Sequence, residues 1–371
     1  FDAGNSSNEL FEIRALIPPP EKTNFYSYGP LAGPVVVSPD GRMLAFAAWA
    51  LDGKTMLYLR PLHETNAKPV TGAEDAYYPF WSPDSKWIGF FAGRKLKKVD
   101  IAGSPPVTVC NEGGRGATWN KNGAILFARD MPGPIYSVSA EGGTPAVVTK
   151  LDTIRNESSH RWPYALPDGK HFLYFCRIAS IGSAAEGDAL FVASLDLKTN
   201  KKLLNTSANA VYASGHLLFM QDSTLRAQVF DESSLELRGE SFPIATGVIN
   251  DRGFNLAVFS ASQNGVLAYE TGSGQAGGRM VIVDRAGKEL GMIGDVIENI
   301  SPRLSRDGRL LAVSQYDQIS RTQNLWLYDL TRSNSRTRLT TGLSIDINPV
   351  WSPNGLQIAY LTVGQGIYVR P

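Results

Sequence analysis

An all-β fold built from repeated four-stranded units is predicted by three observations. A tight-turn tripeptide returns along the whole chain, a continuous apolar run follows each copy, and no long segment carries a helical period. The turn column reads Asp40, Asp84, Asn122, Asp168, Asn264, Asp307 and Asn354, with a worn copy at Ser214-Gly215. Its spacings are 44, 38, 46, 46, 50, 43 and 47 residues, the length of four short strands and their connections. Glycine follows at Gly41, Gly123, Gly169, Gly265, Gly308 and Gly355, and Ser85 is the exception. The expected fold is therefore a β-propeller of four-stranded blades. Eight blades is the expected number, with seven, or part of a larger blade array, as the alternatives.

Each unit has the same internal order. A short apolar strand such as Pro79-Phe80-Trp81 or Pro349-Val350-Trp351 enters the turn. There proline presets φ, Asx bonds its own backbone and glycine tolerates positive φ. A second strand follows, for example Leu44-Ala45-Phe46, Ile88-Gly89-Phe90, Val266-Leu267-Ala268 or Ile358-Ala359-Tyr360. Such runs suit strands covered on both faces by neighbouring sheets. A third, partly polar strand includes Leu57-Tyr58-Leu59-Arg60 and Met280-Val281-Ile282-Val283. A short outer strand such as Pro106-Val107-Thr108-Val109 carries the proline and charge that protect an exposed edge.

Read this way, residues 1–371 are one propeller with repeats at about 31–72, 77–110, 115–150, 161–206, 208–246, 256–294, 299–341 and 347–371. The last repeat has three strands. Residues 10–17, Leu10 to Ile17, are a candidate outer strand to close the ring with it, and a longer array cut within its repeats is the rival account.

Bulk properties exclude several function classes. With 36 basic and 35 acidic residues the net charge is +1, so no nucleic-acid partner is expected. No apolar run approaches the roughly 18 residues of a membrane span, so this region is expected not to insert into a membrane. Cys110 and Cys176 lack metal-type spacing and are read as two buried free thiols. The chain starts at Phe1 without a signal segment, which reads as a processed or excised piece of something longer.

Catalytic patterns are missing. Phosphoryl transfer needs a phosphate loop, a strand lysine and metal-binding acids in order. The glycine-rich run 113–118 leads instead into an apolar strand, and the His-Arg of 160–161 has no following Asp. There is no G-x-S-x-G elbow. His63, His160, His171 and His216 are isolated in sequence, so no metal or cofactor is expected.

What remains is a binding surface where the loops entering the innermost strands converge on the ring axis. Repeat alignment places Tyr77, Tyr78, Arg115, His160, Arg161, Trp162, Arg252, Asn255, Asn299, Ser301, Asp346 and Asn348 there, with Arg161 and Trp162 the leading pair. Aromatic, guanidinium and amide groups of this kind orient a small ligand, peptide or protein partner. The competing reading is that they satisfy backbone groups and bind channel water.

The repeats "VVVSPDGRMLAF" (35–46), "PFWSPDSKWIGFFA" (79–92), "RLSRDGRLLAVS" (303–314) and "PVWSPNGLQIAYLT" (349–362) resemble those of TolB-like β-propellers, relatives of the WD-repeat type. With "YLRPL" (58–62), "GRGATWNKNGAILFA" (114–128), "SSHRWPYALPDGKHFLYF" (158–175), "NGVLAYETG" (264–272) and "LWLYDL" (325–330), the succession is similar to the sensor region of bacterial membrane-bound serine/threonine protein kinases. That resemblance implies a non-catalytic sensor domain outside the cytoplasmic membrane, periplasmic or at the cell surface, tethered through a helix to a kinase. Two rival readings stand beside it: a propeller gating a prolyl-oligopeptidase-type peptidase, and a free-standing TolB-like periplasmic interaction protein.

Overall fold

A computed structural model describes residues 14–27, 32–50, 53–129, 132–178, 187–251, 253–272, 278–286, 288–297, 299–317, 322–332, 335–342 and 344–371. The described residues form antiparallel strands and turns and contain no helix. The all-β propeller expectation holds.

The first sheet runs from Met43–Ala50 through Thr55–Pro61 to Lys68–Glu74, with both Thr23–Phe25 and Val36–Val37 on the inner edge of Met43–Ala50. Four four-stranded sheets follow, each a meander in sequence order. Their innermost strands are Tyr77–Trp81, Gly114–Trp119, Glu157–Ala165 and Ala210–Ala213. Two short hairpins, Asn250–Asp251/Leu256–Ala257 and Phe259–Ala261/Leu267–Tyr269, are counted together as a smaller sixth sheet. They are linked by the Val248–Thr271 bridge and by Ile249 N to Glu270 O and Val258 N to Ile249 O (both 2.9 Å).

Apolar clusters lie between successive sheets. Leu57 and Val70 meet Trp81 and Phe90; Phe80, Phe91 and Leu96 meet Ile125 and Phe127. Leu126 and Ile135 meet Phe172 and Phe191, Leu173 and Val192 meet Leu217 and Phe219, and Val211 and Leu225 meet Phe259. The sixth sheet then returns to the first, where Val266 and Ala268 pack on Leu44 and Phe46. Polar contacts lock this closure: Val37 N donates to Ser260 Oγ (3.0 Å), Ser260 Oγ donates to Val35 O (2.7 Å), and Asn264 Nδ2 donates to Asp40 O (2.8 Å).

The ring thus closes after six sheets, and the expected eight is corrected. Both faces of the first sheet are already covered, by the second sheet on one side and the sixth on the other, which leaves no place for a seventh. The strand expected third in the sixth repeat also moves. Gly278–Val283 pairs with Glu289–Ile297, and its Met280, with Ile293, packs on Leu311, Val313 and Tyr328 of a later sheet. That later sheet, Asn299–Leu304 to Ser335–Arg338, packs in turn on Asp346–Trp351, Ile358–Thr362 and Gly366–Arg370. Of the candidate closing strand, residues 10–13 lie outside the described residues, and 14–17 have no regular structure.

The recurrent turn is a small hydrogen-bonded unit. Ser82 Oγ donates to Asp84 Oδ1 (2.6 Å) and accepts from Trp87 N (2.9 Å), while Asp84 Oδ1 accepts from Lys86 N (3.1 Å). The same Ser-to-Asx bond joins Ser38 to Asp40, Ser262 to Asn264, Ser305 to Asp307 and Ser352 to Asn354. Ser85 stands where the others have glycine and keeps the left-handed backbone, at φ 60°. Its hydroxyl accepts from Asp40 N of the preceding sheet (3.1 Å), a contact glycine cannot make.

Candidate functional site: the ring axis

Every innermost strand of sheets two, three and four contains a bulge, where the register shifts between Tyr77 and Phe80, Arg115 and Ala117, and Arg161 and Tyr164. The residue inside each bulge is left-handed: Tyr78 (φ 48°), Gly116 (φ 75°) and Trp162 (φ 53°). A bulge re-aims a side chain, and here two are aimed across the axis. Tyr78 and Trp162, from sheets that are not neighbours, stack with ring centroids 5.4 Å apart and planes 22° apart. They cross above Gly116, where a Cβ would stand 2.6 Å from Trp162 Cε3, and beside Gly33, where one would stand 2.8 Å from Tyr78 Cα. The missing side chains make room for the aromatic pair.

Hydrogen bonds hold this plug. Trp162 Nε1 donates to Phe254 O (3.2 Å), and Arg161 donates through Nη1 to Phe254 O (3.1 Å) and Asn255 Oδ1 (3.2 Å) and through Nε to Ser159 Oγ (2.9 Å). Asn255 Nδ2 donates onward to Ser207 O (3.1 Å), and Arg115 lies over the Phe254 ring at 5.7 Å. Burial, then the neighbouring Arg177 and Arg115 charges, push the Arg161 guanidinium down to about 10. It remains charged at neutral pH and acts as a strut between the fourth sheet and the turn of the sixth sheet's first hairpin.

Below the plug, a cavity of about 330 Å³ follows the axis toward the Ser-Pro-Asx turns, lined by residues of all six sheets. Trp81, Trp119, Tyr164 and Phe259 form much of its wall, Pro39, Pro83 and Pro167 stand at the turn rim, and Lys121 is the one formally charged lining residue among the described residues. Wall polar atoms are spent on neighbouring sheets: Trp81 Nε1 donates to Val36 O (3.0 Å), Tyr164 OH to Tyr212 O (2.8 Å), and Thr118 Oγ1 accepts from Ala165 N (3.1 Å). What faces the cavity is mainly apolar. No Asp, Glu, His or Cys lines it among the described residues.

Tyr78, Arg115, Arg161, Trp162 and Asn255 therefore come together at one end of the axis. The other sequence candidates are placed elsewhere. Tyr77 is buried between the second and third sheets, stacked on Phe91. Arg252 lies outside the described residues. Asn299, Ser301, Asp346 and Asn348 belong to sheets outside the ring. There Asn348 Oδ1 accepts from Ser301 Oγ (2.8 Å) and Asp346 Oδ1 from Thr362 Oγ1 (2.8 Å). Repeat alignment expected all of these positions around one channel, and the structure divides them between the ring and the later sheets. The alignment did not include Pro39, Pro83 and Pro167, which line the cavity at the turns and whose recurrence was the available signal.

His160 is also off the axis, buried beside Glu157 and Cys176, with their ligand-type atoms within 4.8 Å of one another. Thr149 Oγ1 accepts from Ile135 N (2.8 Å) and lies 2.7 Å from His160 Nδ1. It donates to Nδ1 when the neutral ring carries its proton on Nε2, the nitrogen facing the Glu157 carboxylate. Nε2–H then faces Glu157 Oε2 (3.1 Å). Burial lowers the His160 pKa against the opposing pull of Glu157; burial, then Glu157, raises that of the Cys176 thiol. Nitrogen, oxygen and sulfur at this spacing form a donor set a soft divalent cation accepts. The carboxylate is already engaged, by Arg155 on Oε1 (2.8 Å) and by Asp152 N (2.7 Å) and His160 on Oε2. Sequence spacing hid this group because two strands of one sheet supply it.

Fold and axis define a β-propeller protein. No known sequence family matches the chain, and neither does any curated protein. It is similar in structure to an oligogalacturonate lyase in complex with manganese (TM-score 0.41, 14% identity, 95% of this chain and 91% of that one). It is also similar to the Cps50 (Swd1) β-propeller domain of Myceliophteria thermophila (0.40, 14%, 94% and 98%) and to a putative TolB from Agrobacterium tumefaciens (0.37, 15%, 82% and 93%). No helix among the described residues is long and apolar enough to cross a membrane.

Proposed function

We propose that the six-sheet ring is a non-catalytic binding module whose axial cavity takes a compact, largely apolar ligand or peptide segment through the turn rim. The supporting observation is the cavity itself: mainly apolar walls drawn from all six sheets, the stacked Tyr78–Trp162 pair among them, and a single cation, Lys121, among the described lining residues. N-acetyl-tryptophan and N-acetyl-tryptophanamide are suitable probes, since they differ in the carboxylate that Lys121 would attract. Ligand-detected NMR is expected to show binding of both, the carboxylate form more tightly, and loss of that preference in Lys121→Gln. No binding of either probe, or binding unchanged in Trp81→Ala, would remove the cavity from consideration.

The resemblance of the repeats supports the wider reading that this module is the extracytoplasmic sensor region of a bacterial serine/threonine kinase. The natural reading frame checks it: a kinase domain and an apolar span of about 20 residues upstream of the repeats are expected. A cleavable signal peptide alone, or a hydrolase domain alongside, would replace it with one of the two rival readings.

A further inference from the structure

The last sheet has the same turn as the second, Trp351-Ser352-Pro353-Asn354 against Trp81-Ser82-Pro83-Asp84, and their strand registers correspond residue by residue. In the second sheet, Trp81, Ile88 and Phe90 face back to the first sheet. In the last, the equivalent Trp351, Ile358 and Tyr360 face back to the sheet before it. The opposite faces correspond too. Phe80, Phe91 and Leu96, none more than 5% exposed, carry the second sheet's contact with the third. Their counterparts are Val350, Leu361 and Ile367, exposed by 55%, 36% and 78%. The last sheet therefore presents an apolar face of the blade-to-blade kind with nothing on it among the described residues. Gly366–Arg370, its third strand, also has no outer partner strand among the described residues.

We propose that this face is a blade-docking interface, occupied by a further blade of the same repeat supplied by the same polypeptide beyond Pro371. The order of packing selects that occupant. Around the ring, each sheet from the first to the fifth is covered on its forward face by the sheet next in sequence. The same order holds between the last two sheets. Residues 278–370 would then be the opening blades of a second propeller, distinct from the ring that closes at Ser260.

The test compares the natural polypeptide with the 371-residue chain by hydrogen exchange in Ile358–Thr362 and Gly366–Arg370. Exchange is expected to be at least about tenfold slower in the natural polypeptide, because a covered sheet opens less often. Leu361→Lys and Ile367→Lys should lower its transition temperature yet leave the 371-residue chain unchanged, where the side chains already face water; that chain is the folding control. A natural reading frame without a further repeat, equal exchange in both proteins, or variants silent in both would each overturn the proposal. So would a stable dimer of the 371-residue chain that protects these strands and dissociates on Leu361→Lys, since a second copy would then be the occupant.

Discussion

A left-handed backbone at Tyr78, Gly116, Trp162, Ser301 and Asn348 marks the same place in five repeats, four residues before the first residue of the turn. At Gly116 the approach of Trp162 demands glycine, and the left-handed dihedral favours it. Gly116→Ala should therefore destabilise the protein by about 1–3 kcal/mol, read as a lower urea midpoint with an unchanged slope. At the turns, Asx is an acceptor before it is a charge. Asp84→Ala should cost about 1–2 kcal/mol, while Asp84→Asn should cost less, as Asn264 and Asn354 accept the same serine hydroxyl. Asp84 also titrates. Partial burial raises its pKa, but the bonds from Ser82 and Lys86 and the Lys86 charge outweigh this and leave it below the usual value. Its contribution is present above the unfolded value near 4 and is lost as pH falls through the folded one. His160 acts earlier. Its folded pKa is lowered, so the unfolded chain takes the proton first and stability falls as pH drops below its ordinary 6.5. Urea titrations across pH should show both declines, with His160→Gln removing the first and keeping the second. A single decline confined to below pH 4 in the unsubstituted protein would contradict the His160 assignment.

Elements here are stable through their faces. The second strands are apolar throughout because each lies between two clusters: Ile88 and Phe90 serve one neighbour of their sheet and Phe91 the other. Outer strands read differently since one edge meets water; Asn200–Asn205 and Glu236–Thr246 are largely exposed. The sixth sheet is the slightest, and its junction with the first depends on Ser260, which accepts from Val37 N and donates to Val35 O. Ser260→Ala strands a buried N–H at that junction. The expected loss is about 1–3 kcal/mol, with faster hydrogen exchange confined to Val36–Val37 and the strands of the sixth sheet. Exchange rising equally in all sheets would mean that closure is carried elsewhere.

For the whole molecule, six clusters close a circle within residues 14–272, and three further sheets pack among themselves. A chain of residues 14–272 should therefore unfold in one cooperative transition, with matching van't Hoff and calorimetric enthalpies. Failure to fold without residues 278–371 would show that the later sheets complete the ring's core.

The repeat column, the turn chemistry and the doubly covered second strands were legible in the sequence because each depends on residues close together in the chain. Period-2 burial and the needs of a tight turn are local, and the Ser-Pro-Asp-Gly grammar states them directly. The number of sheets in the ring was not legible, because closure depends on Val266 and Ala268 meeting Leu44 and Phe46 more than 200 residues away. A repeat names the kind of neighbour a sheet needs, not which copy it finds. The same limit divided the candidate site. Alignment grouped Tyr78 with Trp162, which stack in the structure, yet it also drew in Asp346 and Asn348, which belong to a sheet outside the ring. The tertiary structure alone brought the sixth sheet back to the first and stacked Tyr78 on Trp162. The reason is physical: local propensity shapes a blade, while the wedge angle and side-chain volumes between blades decide when the circle is full.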